Sequence, residues 1–143
     1  MCGITGFIDF NKQTNESILI EMTDALYHRG PDDSGYEFIT RSRENIGLGH
    51  RRLSIIDLSK NGHQPMKVDK YSIVFNGEIY NYQEIKKELR DKNYTFNSNS
   101  DTEVIVKAYI EWGIACLDKF IGMFAFAIFD GEKLVLVRDR LGV

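Results

Sequence analysis

The sequence predicts a mixed α+β fold in which at least one sheet is covered on both faces. Short stretches rich in β-branched and aromatic residues alternate with segments whose apolar residues recur at helical spacing. The apolar run from Met123 to Phe129 alternates poorly, as expected of a strand buried on two sides. The 143 residues have one domain's length, and 43% hydrophobic with 27% charged residues exclude a disordered or low-complexity chain.

The first predicted elements are a strand over residues 4–10 (ITGFIDF) and a helix capped by Thr14 or Asn15. The apolar positions Ile18, Met22, Ala25 and Leu26 share one face of this helix. We expect it to end near Arg29-Gly30-Pro31, because proline makes continuation unfavourable. The Arg-Gly-Pro-Asp-Asp segment is then a helix stop followed by an Asp-rich turn.

Two extended stretches, 35–41 and 46–56, come next and lead into a turn-rich loop that reaches Pro65. A strand over 71–75 is expected to turn sharply at Asn76-Gly77-Glu78 into a short helix. Tyr82, Ile85 and Leu89 lie on one face of that helix.

The last elements are a helix and a hairpin. Ser100 and Glu103 have capping-box spacing, and the helix that they begin is expected to stop at Gly113. Asp130-Gly131 predicts a hairpin between two strands, both expected to be buried on two faces. The chain ends at Val143 without a terminating tail, so we expect a domain that is incomplete at its C-terminus.

Charge and composition limit the partners. Eighteen Lys and Arg against 21 Asp and Glu give a net charge of −3, which argues against nucleic acid as the main partner. No apolar run approaches the roughly 20 residues that span a bilayer, and the start lacks the features of a signal peptide, which predicts a cytoplasmic protein without a membrane partner. Cys2 and Cys116 are expected to be free thiols, Cys116 as a buried small hydrophobe.

Two classes of small-ligand site have no support in the sequence. His28, His50 and His63 lack the spacing of zinc ligands, so no metal site is predicted. Neither a GxxxxGK[ST] motif nor a strand-anchored GxGxxG motif occurs. We therefore expect no cofactor in this chain.

Cys2 is a candidate nucleophile. Removal of Met1 leaves a cysteine that carries its own α-amine, so that one residue supplies both nucleophile and base. An α-amine titrates near 7.7 to 8 and a thiol near 8.5, which permits proton exchange near neutral pH. Position alone does not show a catalytic role, because a Cys can occur at residue 2 by chance. A retained Met1 would also block the amine.

Asn76-Gly77 is a candidate oxyanion site. A side-chain amide and a backbone N–H that point the same way suit the negative charge of a tetrahedral intermediate. Asn-Gly is also common in ordinary turns, so the pair alone does not decide between a site and a turn.

Four charged residues are candidates for holding a substrate that carries both charges. Arg51 and Arg52 lie in one predicted strand, so that one side chain faces a site and the other solvent. A guanidinium binds a carboxylate bidentately, and Glu78 and Asp101 could hold an ammonium group. Arg51 is equally explained as a surface charge, and Asp101 as the first residue of a capped helix.

Taken together, six segments carry a resemblance to a known family: MCGITGF at the start, HRGPDDSG at 28–35, GHRRLSIIDL at 49–58, FNGEIYN at 75–81, SDTEV at 100–104 and GMFAFAIFD at 122–130. The chain resembles, from residue 1 to 143, the N-terminal glutaminase domain of glutamine-hydrolysing asparagine synthetases. These domains are class II glutamine amidotransferases with the N-terminal nucleophile hydrolase fold, a four-layer αββα sandwich. The RGPD and NGEIYN motifs separate this branch from the phosphoribosylpyrophosphate and glucosamine-phosphate amidotransferases.

The resemblance implies a role for each candidate residue. Cys2 would be the mature N-terminus and nucleophile, and Asn76 with Gly77 would form the oxyanion hole. Arg52 would bind the glutamine carboxylate, Glu78 and Asp101 the α-amine and its surroundings, and the Ile55 carbonyl would help to line the pocket. The reaction would hydrolyse glutamine to glutamate and ammonia through a thioester.

The resemblance also implies what lies outside this chain. The family's glutaminase domain continues beyond the RDRLG segment, and a C-terminal synthetase domain, which needs ATP and Mg²⁺, follows it. That domain is the expected partner, and a homodimer is a family expectation. Two alternatives stay open: an inactive module that serves as a binding partner, and a glutaminase whose ammonia goes to a sugar or another acceptor.

Overall fold

Two antiparallel β-sheets form the centre of the structure, a computed structural model that describes residues 2–53 and 62–143. Within these ranges the strands are β1 (Gly3–Asp9), β2 (Asp33–Thr40), β3 (Asn45–Arg52), β4 (Met66–Val68), β5 (Tyr71–Ile79), β6 (Gly122–Phe129) and β7 (Leu134–Arg138). Sheet A has the strand order β1-β3-β2, and sheet B has the order β4-β5-β6-β7. The helices are α1 (Glu16–Asp24), α2 (Tyr82–Asp91) and α3 (Asp101–Trp112).

The sheets and helices stack in four layers. Between the sheets lies a core formed by side chains of β3, β5 and β6, namely Ile46, Leu48, Val74, Ala127 and Phe129. Helix α1 packs on the outer face of sheet A, and α3 packs on sheet B beside α2. A larger core, which includes Phe126 and Ile105, fills the space between sheet B and these two helices. The order αββα expected from the sequence is therefore confirmed, as is the burial of Cys116 in the larger core.

The first helix is shorter than predicted. Asn15 caps α1 as expected, since its side chain accepts a hydrogen bond from the N–H of Ile18. The α-helix ends at Asp24, and a 3-10 turn over Tyr27–Arg29 follows it. The 3-10 turn places the Leu26 and Arg29 side chains next to Gly3 of β1. These contacts with β1 explain why the chain leaves the α-helical conformation before Arg29.

Strand β5 runs further than predicted. Instead of turning at Asn76-Gly77-Glu78, it continues to Ile79 in unbroken register with β6, with Gly77 opposite Phe124. Pairing with β6 overrides the local turn preference of Asn-Gly. Helix α2 then starts at Tyr82, as its apolar face predicts.

The short strand β4 was not predicted, whereas β2 and β3 begin within two residues of the predicted stretches. The end of the stretch 46–56 is different: β3 stops at Arg52, and residues 54–56 lie outside the described ranges. Helix α3 is capped by Ser100, which accepts from the Thr102 N–H. Glu103 accepts from the N–H groups of Asn97 and Ser98 rather than closing the predicted capping box.

The predicted hairpin joins β6 and β7 through residues 130–133. Strand β6 is largely buried, as predicted, but burial of β7 on two faces was wrong: Leu136 is 72% exposed. As the edge strand of sheet B, β7 is covered on one face only at this point: Val135 and Val137 pack against the larger core, and Leu136 lies on the opposite face. No helix in the described part of the chain is long and apolar enough to cross a bilayer.

Candidate active site

One cleft, with a volume of about 130 Å³, lies where β1, β3 and β5 meet the start of α3. Six of the seven residues predicted for the site line it: Cys2, Arg52, Asn76, Gly77, Glu78 and Asp101. The seventh, Ile55, lies outside the described residues. Residues separated by as many as 99 positions in sequence are thus brought to one surface by the pairing of the strands.

Cys2 directly precedes β1, and its thiol reaches the end of β3. The Sγ atom accepts a hydrogen bond from the Leu53 N–H at 3.3 Å and lies 3.6 Å from the Leu53 carbonyl oxygen. The Cys2 carbonyl accepts from Nε of Arg29 at 3.4 Å, which anchors the residue from its other side. The thiol is therefore held at the cleft wall in a partly buried position.

The backbone of β5 places a donor at the cleft by simple alternation. The N–H groups of Phe75 and Ile79 point away from β6, the first to Oε1 of Gln64 at 2.6 Å and the second to Oδ2 of Asp101 at 3.1 Å. Alternate residues of a strand direct their backbone groups to the same edge. The N–H of Gly77, midway between them, therefore faces this edge, which borders the cleft.

Glycine is required at position 77 for two reasons. Its φ of +145° lies in a region that residues with a side chain rarely adopt, and a Cβ there would lie 2.1 Å from the Met123 carbonyl oxygen. Its neighbour Asn76 belongs to the set of β5 residues that face sheet A, as Val74 does. Oδ1 of Asn76 is buried and accepts no hydrogen bond from the described residues.

The two arginines separate as strand alternation predicts. Arg51 lies on the opposite face but does not meet solvent as predicted: its side chain is 13% exposed and donates to the Asp24 carboxylate and the Thr23 carbonyl, and its guanidinium lies 5.3 Å from the Tyr27 ring centroid. Arg52 lines the cleft and is buried, 8% exposed. Gly62 packs against it so closely that a Cβ at position 62 would lie 2.1 Å from Nη2 of Arg52.

The acidic wall of the cleft comes from the first residue of α3 and the end of β5. Burial and, to a smaller extent, the nearby Glu78 carboxylate raise the pKa of Asp101 to about 6, against hydrogen bonds from the N–H groups of Ile79 and Thr102, which lower it. At neutral pH Asp101 is therefore ionised but readily protonated. Glu78 is exposed, so that its carboxylate lies at the mouth of the cleft.

Sequence reasoning missed two residues that shape this site. Gln64 lines the cleft and is 5% exposed, bonded to the Phe75 N–H and, through Nε2, to Oγ1 of Thr102 at 3.2 Å. His50 is 1% exposed, and its Nε2 lies 3.2 Å from the Phe75 carbonyl oxygen. For His50 a signal was present, because it continues the alternation of the buried Ile46 and Leu48 on β3; Gln64 has no such pattern.

The family model described as "Glutamine amidotransferase domain" matches residues 1–143. This chain belongs to the glutamine amidotransferase domain family. The resemblance drawn from the sequence motifs is thereby confirmed, and the family is one of enzymes.

The relatives of this amidotransferase domain include much longer proteins. It is 44% identical to asparagine synthetase [glutamine-hydrolyzing] 3 of Bacillus subtilis, covering 100% of this chain and 24% of that protein. The identity is also 44% to the putative asparagine synthetase [glutamine-hydrolyzing] 2 of Methanocaldococcus jannaschii, with 31% of it covered, and 40% to asparagine synthetase B of Escherichia coli, with 26% covered. The chain thus spans 24% to 31% of the length of these relatives.

Solved structures show the same fold at low sequence identity. The glutamine phosphoribosylpyrophosphate amidotransferase of Bacillus subtilis superposes with a TM-score of 0.76 at 18% identity, over 95% of this chain and 37% of that one. A second structure, titled as the allosteric regulatory enzyme of purine biosynthesis, gives a TM-score of 0.74 at 18% identity. Together with the four layers, this likeness shows the N-terminal nucleophile hydrolase fold.

Proposed function

We propose that this domain hydrolyses the side-chain amide of glutamine to glutamate and ammonia, with Cys2 as the nucleophile. One observation carries the proposal: a thiol, an amide and a backbone donor, a buried guanidinium and two carboxylates line the same cleft. This set matches the demands of attacking an amide in a molecule that carries an α-carboxylate and an α-ammonium group. The names of the relatives, which are glutamine-hydrolysing, support the same substrate.

In the first half of the reaction, Cys2 without Met1 uses its α-amine as the base. The thiol gives its proton to this amine while sulfur forms a bond to the amide carbon. The amide oxygen becomes negative, and the Asn76 amide with the Gly77 N–H stabilises it, a contribution worth roughly 3 to 4 kcal/mol for each donor. When the C–N bond breaks, the protonated amine gives its proton to the leaving nitrogen, and ammonia and a thioester result.

In the second half, water replaces the thioester. The α-amine takes a proton from water as oxygen bonds to the carbonyl carbon, and the same two donors hold the second oxyanion. The C–S bond then breaks, and the thiolate recovers the proton from the amine. The products balance as glutamate and a regenerated thiol, with one water consumed for one ammonia released.

The two charged groups of glutamine would be bound by different walls of the cleft. Arg52 would bind the α-carboxylate, since a planar guanidinium fits a carboxylate bidentately. Asp101 and Glu78 would hold the α-ammonium group, and the Ile55 carbonyl is proposed to complete this subsite. Burial of Arg52 and Asp101 strengthens both interactions relative to those of surface charges.

The fate of the ammonia is the wider part of the proposal. The relatives' names indicate a synthetase that makes asparagine, so we propose that a C-terminal synthetase domain, with ATP and Mg²⁺, receives the ammonia. Residues 1–143 form the amidotransferase part and need no cofactor for glutamine hydrolysis in this scheme. A homodimer, which the family resemblance implies, and a cytoplasmic location, which the sequence predicts, are proposed with it.

The test is an intact mass of the purified chain after exposure to 6-diazo-5-oxo-norleucine, a reactive glutamine analogue. We expect loss of Met1 and one adduct at Cys2, together with glutamate release from glutamine. Cys2→Ala should abolish both the adduct and glutamate release. Cys116→Ala is the matched control, because Cys116 is fully buried and burial raises its pKa to about 12, so this thiol should not react.

The opposite result is equally informative. A folded chain that has lost Met1 but forms no adduct and releases no glutamate would overturn the proposal and favour a non-catalytic module. Retained Met1 with no adduct would show that this chain as isolated is inactive, and proteolytic removal of Met1 would then decide whether the amine is what is missing. Asparagine formation by a longer form would test the acceptor separately.

A further inference from the structure

Both backbone groups of Phe75 are bound by side chains instead of by a neighbouring strand. The register between β4 and β5 ends where Met66 lies opposite Ile73, so the next outward-facing residue on that edge is Phe75. Oε1 of Gln64 accepts the Phe75 N–H at 2.6 Å, and Nε2 of His50 lies 3.2 Å from the Phe75 carbonyl oxygen. Phe75 directly precedes the Asn76-Gly77 pair.

The three residues, here called the Phe75 clamp (His50, Gln64 and Phe75), are all buried, with exposures of 1%, 5% and 3%. Burial lowers the pKa of His50 to about 4, so the ring is neutral at pH 7. A carbonyl oxygen only accepts, which assigns the proton of the neutral ring to Nε2. Hydrogen bonds in such surroundings are stronger than in water, and a buried donor or acceptor left without a partner is destabilising.

The clamp joins the three elements that carry the site. His50 is on β3, two residues before Arg52. Gln64 precedes β4 and uses its second amide atom to bond Thr102 at 3.2 Å, directly after Asp101 on α3. The clamp is therefore placed to fix the end of β5 against both the arginine wall and the acidic wall of the cleft.

We propose that His50 and Gln64 are positioning residues that hold the Phe75 peptide groups, and through them the Asn76 amide and the Gly77 N–H, in the geometry that the oxyanion requires. This inference rests on the proposed function. The donors follow Phe75 within two residues, and the opposite edge of this segment is already held by β6. Neither positioning residue needs to touch glutamine.

A positioning role and a purely structural role predict different kinetics. Donors that move by a fraction of an ångström lose stabilisation of the oxyanion while Arg52 and Asp101 still bind the substrate's ends. We therefore expect kcat for glutamine hydrolysis to fall about 10-fold to 100-fold, with KM within about twofold of the wild-type value. A structural role would lower the urea midpoint and leave kcat of the folded fraction unchanged.

The experiment compares His50→Leu with His50→Gln in the full chain. Gln carries an N–H₂ group that can replace the donor to the Phe75 carbonyl, whereas Leu has none. For each variant, kcat and KM, the urea midpoint, and the rate of Cys2 alkylation by iodoacetamide are measured. Alkylation is the control, because it uses the thiol but no oxyanion donor. The ¹H-¹⁵N resonances of Asn76 and Gly77 report the backbone directly.

The expected result is a kcat loss and shifted Asn76 and Gly77 resonances in the folded Leu variant, near-normal values in the Gln variant, and unchanged alkylation in both. A folded Leu variant with wild-type kcat and resonances overturns the inference. If the Leu variant does not fold, Gln64→Met takes its place under the same criteria. If that variant also fails, a folded His50→Gln variant decides: wild-type kcat and resonances support a hydrogen-bond donor at this position, and a loss of kcat with wild-type resonances overturns the inference.

Failure of the proposed function is separate from failure of the clamp. A wild-type chain that releases no glutamate removes the kinetic readout and overturns the proposed function. The resonances of Asn76 and Gly77 in the Leu and Gln variants then decide whether His50 sets the conformation of this segment. Unshifted resonances in the folded Leu variant would overturn the inference in that case too.

Discussion

Replacing Asp101 by Asn should stabilise the fold at neutral pH while weakening glutamine binding. Burial raises the pKa of Asp101 from 3.8 to about 6, so the folded state holds its proton more tightly than the unfolded chain does. The stability that this group contributes is complete below about pH 4 and is lost as the pH rises through 6. At about 1.4 kcal/mol per pH unit, the loss amounts to about 3 kcal/mol by pH 7.5.

The Asn variant lacks this titration but keeps an oxygen that accepts the Ile79 N–H, which the Asp carboxylate accepts at 3.1 Å. Its free energy of unfolding should therefore match that of the wild type near pH 4 and exceed it by up to about 3 kcal/mol at pH 7.5. Urea titrations of both proteins at pH 4, 5, 6 and 7.5 measure the difference. Asp118→Asn is the control, because the Asp118 side chain is 83% exposed.

A difference that is constant with pH, or an Asn variant that is less stable at pH 7.5, would refute this reasoning. The predicted weakening of glutamine binding is tested separately, by measuring KM. If Asp101 holds the α-ammonium group of glutamine, KM should rise in the Asn variant at pH 7.5, and KM of the wild type should rise as the pH falls through 6. A more stable variant with unchanged KM would place the ammonium group elsewhere, at Glu78 alone.

Two glycines give sharper tests of the cleft. Gly62→Ala puts a Cβ 2.1 Å from Nη2 of Arg52, and the guanidinium can move away from it, so KM for glutamine should rise about tenfold or more with little change in the melting temperature. The control Arg51→Ala should leave KM unchanged. An unaltered KM in the Gly62→Ala variant would contradict the role of Arg52. Gly77→Ala combines a φ of +145° with a Cβ 2.1 Å from the Met123 carbonyl oxygen, and should cost at least about 3 kcal/mol of unfolding free energy by urea titration. Wild-type stability in that variant would contradict the geometry of β5.

Local signals in the sequence were enough for the parts of the fold that depend on neighbours along the chain. Ser100 caps α3, Asp130-Gly131 lies in the β6–β7 hairpin, and alternation along β3 separates Arg51 from Arg52. Six motifs, compared as a set, indicated the family and with it the four layers. Each of these signals, including each single motif, lies within a few consecutive residues.

The features that sequence reasoning missed depend on distant partners. Asn76-Gly77 prefers a turn by itself, but eight consecutive pairings with β6 hold β5 extended through Ile79. Gln64 supports the site through hydrogen bonds to Phe75, 11 residues away, and to Thr102, 38 residues away. No pattern in one sequence encodes such contacts, so the candidate nucleophile and charges were found while the groups that support them were not.

The donor proposed at Gly77 belongs to the main chain, and this has a consequence for how the site can be studied. Alanine scanning removes side chains and leaves every peptide N–H in place. It would therefore measure the contributions of the side chains that line the cleft but not the contribution of the Gly77 N–H. Substitution at the glycine perturbs the fold before it tests the chemistry. An amide-to-ester replacement between Asn76 and Gly77 deletes the N–H and leaves every side chain in place, although it also makes the Asn76 carbonyl a weaker acceptor toward β6.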